Sequence, residues 1–498
     1  MRILIRLSFV LTSLVLINAC KHKPTTTTPI TEYGNFPEPV GKIFVSKCAT
    51  AGCHNDKSQE ADLIMSSWEH LFSGNAANGA PVVPFSTDYS SLLYFINPDS
   101  SLGVVSEPLM PRDAPPLSRE EYLTIRDWVA KGAPDKNGNV PFSSKPDTRQ
   151  KIYLTMGGCD LIGVIDAETK TLMRYIKVGK DDTRTENPHN VKFSPDGRYA
   201  YVCFSNGGDY LQKIDASTDQ VVGEVNINYG GSGSSSFNVL TISPDGKQVL
   251  VSDWVEQGKL ALVRTEDMTL QRIYNPAELR SPHGVAANAT FDTFFVTGQS
   301  GNTMYRISAN GRDFKRISIV EGREWADAAY PGSPNPHDLI MTPDYSRYFV
   351  TCEATAEVRV MDAHTDKLLK VINVGAKPQE LAISPKTKTI FVTCMEDMPD
   401  GTGKFRGSVY AINYEDYTTK VITGKFAQPH GIAVDEQNGI LYVASTNTSG
   451  PPAHHVSACA GNNGYYQLYD LYSHKPLSVN DRRYEVSVQP YSAATRFQ

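Results

Sequence analysis

The chain has 498 residues, of which 40% are hydrophobic, and a formal net charge of −6 at pH 7. This length exceeds what one ordinary hydrophobic core supports, so we expect at least two domains. Because the charge is negative and no basic stretch lies beyond the N-terminus, nucleic acid is excluded as an expected partner.

Residues 1–19 have the pattern of an export signal. Arg2 and Arg6 are followed by an apolar run from Leu7 to Ile17, which is too short to span a membrane as a mature helix. The run ends in Ile-Asn-Ala-Cys at Cys20, which resembles the lipobox of bacterial lipoproteins. That resemblance implies a lipidated Cys20 and a membrane anchor. Because Lys21 follows, it implies the outer membrane, with the protein facing the periplasm or the cell surface. An ordinary cleavage site with an incidental cysteine is the alternative.

Residues 20–36 have no apolar pattern and predict a flexible tether. The next segment, 37–47, predicts a short amphipathic helix leading into Cys48-Ala-Thr-Ala-Gly-Cys53-His54. Two thiols followed at once by an imidazole are what covalent haem attachment and proximal ligation need, although the usual spacing between the cysteines is two residues. A disulfide, a zinc site and a chance match are the alternatives.

Met110 lies 56 residues after His54 and offers a thioether as a sixth iron ligand. Ser118 and Glu121 then form a capping-box pattern that opens a predicted helix, which Gly132 and Pro134 end. The whole segment, about residues 38–135, resembles a family of short bacterial cytochrome c modules. The resemblance implies an all-α haem c domain over 37–135, with Cys48 and Cys53 attaching the haem and with His54 and Met110 as its axial ligands.

Residues 136–150 are polar and predict a linker. Beyond them, six units of thirteen residues align without gaps, each reading as strand, tight turn and strand, and their starts differ by 49, 45, 54, 42 and 51 residues. This spacing matches the blades of a β-propeller. A second hairpin follows most units, which predicts four antiparallel strands per blade.

The repeats resemble YVTN-type propellers, with Phe-Val-Thr at Phe349 and Phe391 and Tyr-Val-Ala at Tyr442. Residues 151–498 begin with a segment that has the pattern of the second strand of a blade, with no first strand before it. They end with a segment that has the pattern of the first strand of a blade, with no second strand after it. Joining them predicts a closed all-β propeller of seven blades with no free sheet edge. An open β-solenoid is the alternative.

One residue directly precedes each thirteen-residue unit and should lie at a mouth of the central channel. Histidine occupies four of these positions, two carry amides, and Tyr491 is expected at the seventh; the set is His189, Asn238, His283, His337, Gln379, His430 and Tyr491. Four imidazoles predict either a copper or zinc site or a site for a small molecule. The alternative is a structural ring or a docking surface, because histidine at such strand starts also occurs in propellers that bind nothing.

These patterns leave three functional hypotheses. The first is a haem c electron-transfer lipoprotein whose propeller binds a redox partner protein, a small-molecule electron donor or acceptor, or a metal centre. The second is a propeller oxidoreductase with a histidine-rich metal site that exchanges electrons with the haem. In the third, the propeller is a binding module and the haem is structural or sensing.

Overall fold

The structure is a computed structural model that describes residues 33–228, 235–399, 401–478 and 481–498. The predicted signal peptide and Cys20 lie outside the described residues. The described chain forms a small N-terminal unit with short helices, residues 33–150, followed by a seven-bladed β-propeller. No helix in these ranges has the length and apolarity needed to cross a bilayer.

Four α-helices occur in the N-terminal unit: α1 (Glu38–Ile43), α2 (Trp68–Leu71), α3 (Ser91–Phe95) and α4 (Arg119–Ala130). Helix α1 continues as a π-helical turn, Phe44–Cys48, so the predicted helix runs into the first cysteine. The predicted capping box of α4 is present: Glu121 N donates to Ser118 Oγ, and Ser118 N donates to the Glu121 carboxylate. These helices enclose an apolar cluster that includes Phe44, Cys48 and Trp128.

Each propeller blade is a four-stranded antiparallel sheet. Blade 1 contains β1 (Lys151–Met156), β2 (Leu161–Asp166) and β3 (Thr171–Lys177), and blade 2 contains β4 (Pro188–Phe193), β5 (Tyr199–Phe204), β6 (Tyr210–Asp215) and β7 (Gln220–Asn226). Blade 3 contains β8 (Phe237–Ile242), β9 (Gln248–Asp253), β10 (Lys259–Arg264) and β11 (Thr269–Tyr274). Blade 4 contains β12 (Pro282–Ala287), β13 (Thr293–Gly298), β14 (Thr303–Ser308) and β15 (Phe314–Ser318). Blade 5 contains β16 (Pro336–Met341), β17 (Arg347–Cys352), β18 (Glu357–Asp362) and β19 (Leu368–Asn373). Blade 6 contains β20 (Pro378–Ser384), β21 (Thr389–Cys394), β22 (Ser408–Asn413) and β23 (Thr419–Ile422). Blade 7 contains β24 (Pro429–Asp435), β25 (Ile440–Ser445), β26 (Asn463–Asp470) and β27 (Tyr484–Val488). The last strand, β28 (Pro490–Thr495), completes blade 1.

The ring closes as the terminal patterns predict. Strand β28 pairs antiparallel with β1, with Ile152 opposite Thr495 and Leu154 opposite Ala493. The prediction of seven blades is therefore confirmed, and closure removes the exposed sheet edges that an open solenoid would leave.

Local turn chemistry forms the inner hairpins. In the first Ser-Pro-Asp-Gly turn, Ser194 Oγ lies 2.6 Å from Asp196 Oδ1, and Ser194 N donates to Tyr199 O across the hairpin. Gly197 closes this turn with φ +67°, and a Cβ there would collide with the Phe497 ring. The geometry and the contact together require glycine at this position.

The hydrophobic core of the propeller lies between neighbouring blades. Ile162 and Val164 of β2, for example, pack in one buried cluster with Val191 and Val202 of blade 2. The inner strands are thereby held side by side around the axis, and their first residues converge at one mouth of the channel.

The N-terminal unit packs against blades 1 and 7. Val83 and Tyr89 belong to the same apolar cluster as Ile152 of β1 and Tyr466 of β26, and Arg482 donates to the carbonyl oxygen of Asn75 at 2.6 Å. The segment predicted as a linker is held as well, because the Arg496 guanidinium donates to three of its carbonyl oxygens, those of Pro146, Asp147 and Arg149.

Candidate functional site

The two cysteines of the predicted haem motif lie on one compact loop with His54. Cys48 ends the π-helical turn and is buried, while Cys53 is half-buried. His54 N donates back to Cys48 O at 3.1 Å, and the Asn55 side chain donates to Thr50 O at 2.7 Å. Burial, with a smaller contribution from the nearby Cys53 thiol, raises the pKa of Cys48 to about 12.

One nitrogen of the His54 imidazole makes a hydrogen bond, and the other is available to a ligand. Its Nδ1 lies 3.0 Å from the carbonyl oxygen of Glu60, which can only accept a hydrogen bond, so Nδ1 carries the proton. Nε2 therefore keeps its lone pair. Histidines that ligate metals are typically oriented by a backbone carbonyl in this way.

Met110 lies at the edge of the core that contains Cys48. Its side chain is partly buried and packs against that apolar cluster, and its backbone N donates to Phe95 O at 2.7 Å. Cys48 and Met110 thus share one apolar cluster, and Cys53 and His54 lie on the loop that follows Cys48. Two thiols, an imidazole and a thioether are the donor set that haem c uses, so these residues fit the group in kind.

The second candidate site lies on the propeller axis. His189, His283, His337 and His430 are the second residues of β4, β12, β16 and β24, and their exposed fractions are 6%, 3%, 2% and 0%. The ring centroids of His189 and His283 lie 5.7 Å apart, those of His283 and His337 4.1 Å, those of His337 and His430 6.1 Å, and those of His189 and His430 6.4 Å. The fold thus brings together the four histidines that the sequence pattern picked out, and we call them the axial histidines.

Three of the axial histidines are oriented by the next blade. Nδ1 of His189 donates to Asn238 O at 2.9 Å, Nδ1 of His283 to His337 O at 3.1 Å, and Nδ1 of His430 to Tyr491 O at 2.8 Å. Each acceptor belongs to the residue at the equivalent position of the following blade. The hydrogen bonds therefore place the proton on Nδ1 and leave Nε2 as the nitrogen that can bind something else.

Two nitrogens of this group are buried without a hydrogen bond. Within the described ranges, no donor or acceptor satisfies His430 Nε2 or His337 Nδ1. Burial lowers the pKa of His189 to about 3 and takes the pKa values of His283 and His430 well below the ordinary value. These three imidazoles are neutral at pH 7, and an unsatisfied buried nitrogen costs free energy unless a ligand or water occupies it.

A cavity of about 40 Å³ adjoins the axial histidines. Besides the imidazoles, the polar side chains that line it are Asn190, Lys192, Asp338, Glu380 and Ser492. Burial and then the neighbouring Asp338 raise the pKa of Glu380 well above its ordinary value. At roughly 10–15 Å³ per probe-sized water, the cavity holds about three water molecules or a ligand of a few atoms.

The two carboxyl groups in this cavity were not identified from the sequence, although their positions in the repeat could have indicated them. Asp338 directly follows His337, and Glu380 directly follows Gln379, so both occupy the same register one residue beyond the predicted ring.

In the described residues, no group of three or more His, Cys, Asp and Glu side chains is already arranged to hold a metal ion.

The five propeller cysteines divide into one pair and three separate thiols. Cys159 and Cys459 form a disulfide with Cα atoms 5.7 Å apart, while the other three are free and buried; they are Cys203, Cys352 and Cys394. The Tyr89 hydroxyl of the N-terminal unit lies 3.4 Å from Cys459 Sγ. The disulfide therefore fixes the loop between β25 and β26 where that unit packs.

The same loop carries His454 and His455, which lie away from the axial histidines. The His454 ring packs against Phe95 at 5.4 Å between centroids, and the His455 ring against Tyr94 at 6.0 Å. Both histidines therefore contribute to the contact between the N-terminal unit and the propeller.

Comparison with known proteins leaves the family open, since no family model matches the chain. It is similar to eukaryotic translation initiation factor 3 subunit I of Candida glabrata, with 25% identity over 181 residues, which is 35% of this chain and 51% of that protein. The chain thus spans about half the length of this curated relative.

Two solved structures are similar in fold. A chain of Kuenenia stuttgartiensis hydrazine synthase has 16% identity and a TM-score of 0.47, over 64% of this chain and 91% of that one. A functionally unknown protein from Desulfotomaculum acetoxidans has 13% identity and a TM-score of 0.48, over 69% of this chain and 100% of that one. Neither assigns a function, which has to be argued from this chain's own residues.

Proposed function

We propose that the chain is an exported haem c protein that carries single electrons, with the haem attached to Cys48 and Cys53 and ligated by His54 and Met110. The observation that carries the proposal is the His54 imidazole, held by the Glu60 carbonyl on the loop that bears both cysteines, with Nε2 left for a metal. When bound, haem with both axial positions filled supplies one-electron transfer.

The chain's own residues have defined parts in this proposal. The Glu60 carbonyl orients the His54 ring and fixes the tautomer that has its proton on Nδ1. The hydrogen bond from Met110 N to Phe95 O holds the backbone that carries the thioether. The apolar cluster around Cys48 limits access of water, which is one of the factors that set a haem's reduction potential.

Covalent attachment tests the proposal directly. The full chain, made in a host with cytochrome maturation machinery, should keep its haem through acid-acetone extraction and show c-type absorption bands. The double variant Cys48→Ala, Cys53→Ala should lose the covalent haem, whereas the control Cys203→Ala, Cys352→Ala, which changes two buried cysteines outside the motif, should keep it. Wild-type protein without covalent haem would refute the proposal.

The proposed surroundings follow from the N-terminal pattern. Lipidation of Cys20 would anchor the chain to a membrane, in this proposal the outer membrane, on its periplasmic or outer side. A redox partner protein or a small-molecule donor or acceptor would then exchange electrons with the haem.

A second candidate function is an oxidoreductase whose reaction takes place in the propeller. The observation that favours it is the group of four buried imidazoles beside a cavity of about 40 Å³. Such a cavity limits a ligand there to an ion or a molecule of a few atoms. If the axial histidines bind nothing, the propeller is instead a docking or binding module, and the haem is a carrier, a structural group or a sensor.

A further inference from the structure

We propose that the axial histidines bind one first-row transition-metal ion, copper or zinc, with Nε2 of His189, His283 and His430 as ligands and His337 as the fourth. The proposal does not depend on the haem, because the two sites share no residue. It gives the propeller a metal centre of its own.

The tautomers match what a metal site needs. Three axial histidines donate Nδ1–H to backbone carbonyls of the next blade, so their Nε2 lone pairs are available without loss of a proton. Imidazole suits copper and zinc, whereas calcium and magnesium prefer oxygen ligands. The buried Nε2 of His430 and Nδ1 of His337, which lack hydrogen bonds, are the atoms that a ligand would satisfy.

Three of the four ring separations are in the range that one shared ion requires, and the fourth, between His283 and His337, is shorter at 4.1 Å, so these two rings must move apart. A metal–nitrogen distance of about 2.0–2.1 Å places an imidazole centroid about 3.2 Å from the ion. Two such rings then lie about 4.5 Å apart at a right angle and about 6.4 Å apart when they are opposite. The four measured separations run from 4.1 to 6.4 Å.

Binding requires the rings to turn, because three ligating nitrogens do not already meet at one point. The cavity of about 40 Å³ beside the rings provides space for this motion. Tyr491 restricts it on one side, since its ring stacks on His430 with centroids 3.5 Å apart. The Tyr491 ring also lies 4.5 Å from the His189 ring, so we expect His283 and His337 to turn most.

Carboxyl groups lie near the axial histidines, and a bound cation would favour their ionised form. Glu353 Oε1 lies 3.9 Å from His337 Nε2, and Glu380 Oε1 lies 3.8 Å from His430 Nδ1. Asp338 lines the same cavity, and Lys192 is the cation that opposes the carboxylates there. A cation bound at the axis would thus lie close to groups that can balance it.

Metal stoichiometry of the full chain tests the proposal. Purified protein is incubated with one equivalent of Cu²⁺ or Zn²⁺ and freed of unbound metal, and its metal content is measured by elemental mass spectrometry. We expect about one ion per chain in addition to haem iron. In the double variant His283→Asn, His430→Asn, this ion should be lost while haem content stays unchanged.

Asparagine is chosen because its amide can still donate the hydrogen bond made by Nδ1 but has no counterpart of Nε2. The same fold already holds Asn238 and Gln379 at equivalent positions of two other blades. The matched control is His70→Asn, His364→Asn, which changes two exposed histidines and should keep the metal.

Either of two results would overturn the proposal: wild-type protein that retains neither ion, or a folded His283→Asn, His430→Asn variant that retains as much metal as the control. Should the variant fail to fold by circular dichroism, electron paramagnetic resonance of the wild-type copper form decides. Superhyperfine splitting from three or more nitrogen ligands is expected, and a spectrum without nitrogen coupling would overturn the proposal. Loss of haem alone would count against the proposed function and not against this site.

Discussion

Replacing Asp219 with Ala should strongly destabilise the propeller near the point where the ring closes. Lys151 of β1 is only 2% exposed, and its ammonium donates to Ala216 O at 2.8 Å and to the two Asp219 oxygens at 2.8 and 2.9 Å. The Tyr153 hydroxyl donates to the same carboxylate at 2.6 Å. Asp219, 3% exposed in blade 2, therefore links two blades through two side chains of β1.

The expected loss in the free energy of unfolding follows from the burial of Lys151 and Asp219. Removing Asp219 takes the carboxylate from the Tyr153 hydroxyl, from the Arg174 guanidinium, whose Nε lies 3.2 Å from Asp219 Oδ2, and from the Lys151 ammonium, which keeps Ala216 O. Breaking a buried ion pair from one side costs about 3–5 kcal/mol. That is a large share of the roughly 5–15 kcal/mol by which folded proteins are stable. Burial already lowers the pKa of Lys151 against the opposing effect of Asp219, so in the variant the lysine can lose its proton, which limits the cost to that range.

Urea unfolding at pH 7, followed by circular dichroism, measures the loss. The control Asp267→Ala removes an exposed partner of Arg264 and should leave the midpoint unchanged within error. In the double variant Lys151→Met, Asp219→Ala, part of the loss should be recovered, because the buried Lys151 ammonium is no longer left without its carboxylate. A free energy of unfolding for Asp219→Ala within about 1 kcal/mol of wild type would refute the reasoning, since it would fall below the range for a broken buried pair.

Three further predictions concern single residues. Replacing Met110 with Ala should let cyanide bind the haem and lower its reduction potential, because a thioether favours ferrous iron; a spectrum identical to wild type would assign the sixth ligand to another residue. Replacing Cys20 with Ser should move the protein from the membrane to the soluble fraction or leave it unprocessed, and wild-type protein that never incorporates labelled fatty acid would contradict the anchor. Burial raises the pKa values of Cys203 and Cys352 to about 12, so at pH 8 their thiols should react with iodoacetamide only after unfolding, as peptide mass spectrometry can show; rapid labelling of native protein would contradict their burial.

The repeat architecture could be predicted because the signals that specify it are local. The Ser-Pro-Asp-Gly turn at Ser194 and the capping box at Ser118 each depend on residues a few positions apart, and the structure confirms both. The blade period then placed one histidine at the start of each of four inner strands. Even the pairing of the terminal strands followed, since each end lacked the partner that the other supplied.

The contacts between blades could not be predicted from these patterns. The bond from His430 Nδ1 to Tyr491 O, the buried pair of Lys151 and Asp219, and the union of Cys159 with a cysteine 300 residues later all join distant parts of the chain. Their geometry depends on how far each blade is rotated about the axis and on where the N-terminal unit packs. The repeat period in the sequence gives neither the rotation of the blades nor the position at which the N-terminal unit packs. The sequence alone therefore determined which side chains reach the axis, and only the tertiary structure decided, for three of the four imidazoles, which nitrogen is held and which is left to bind.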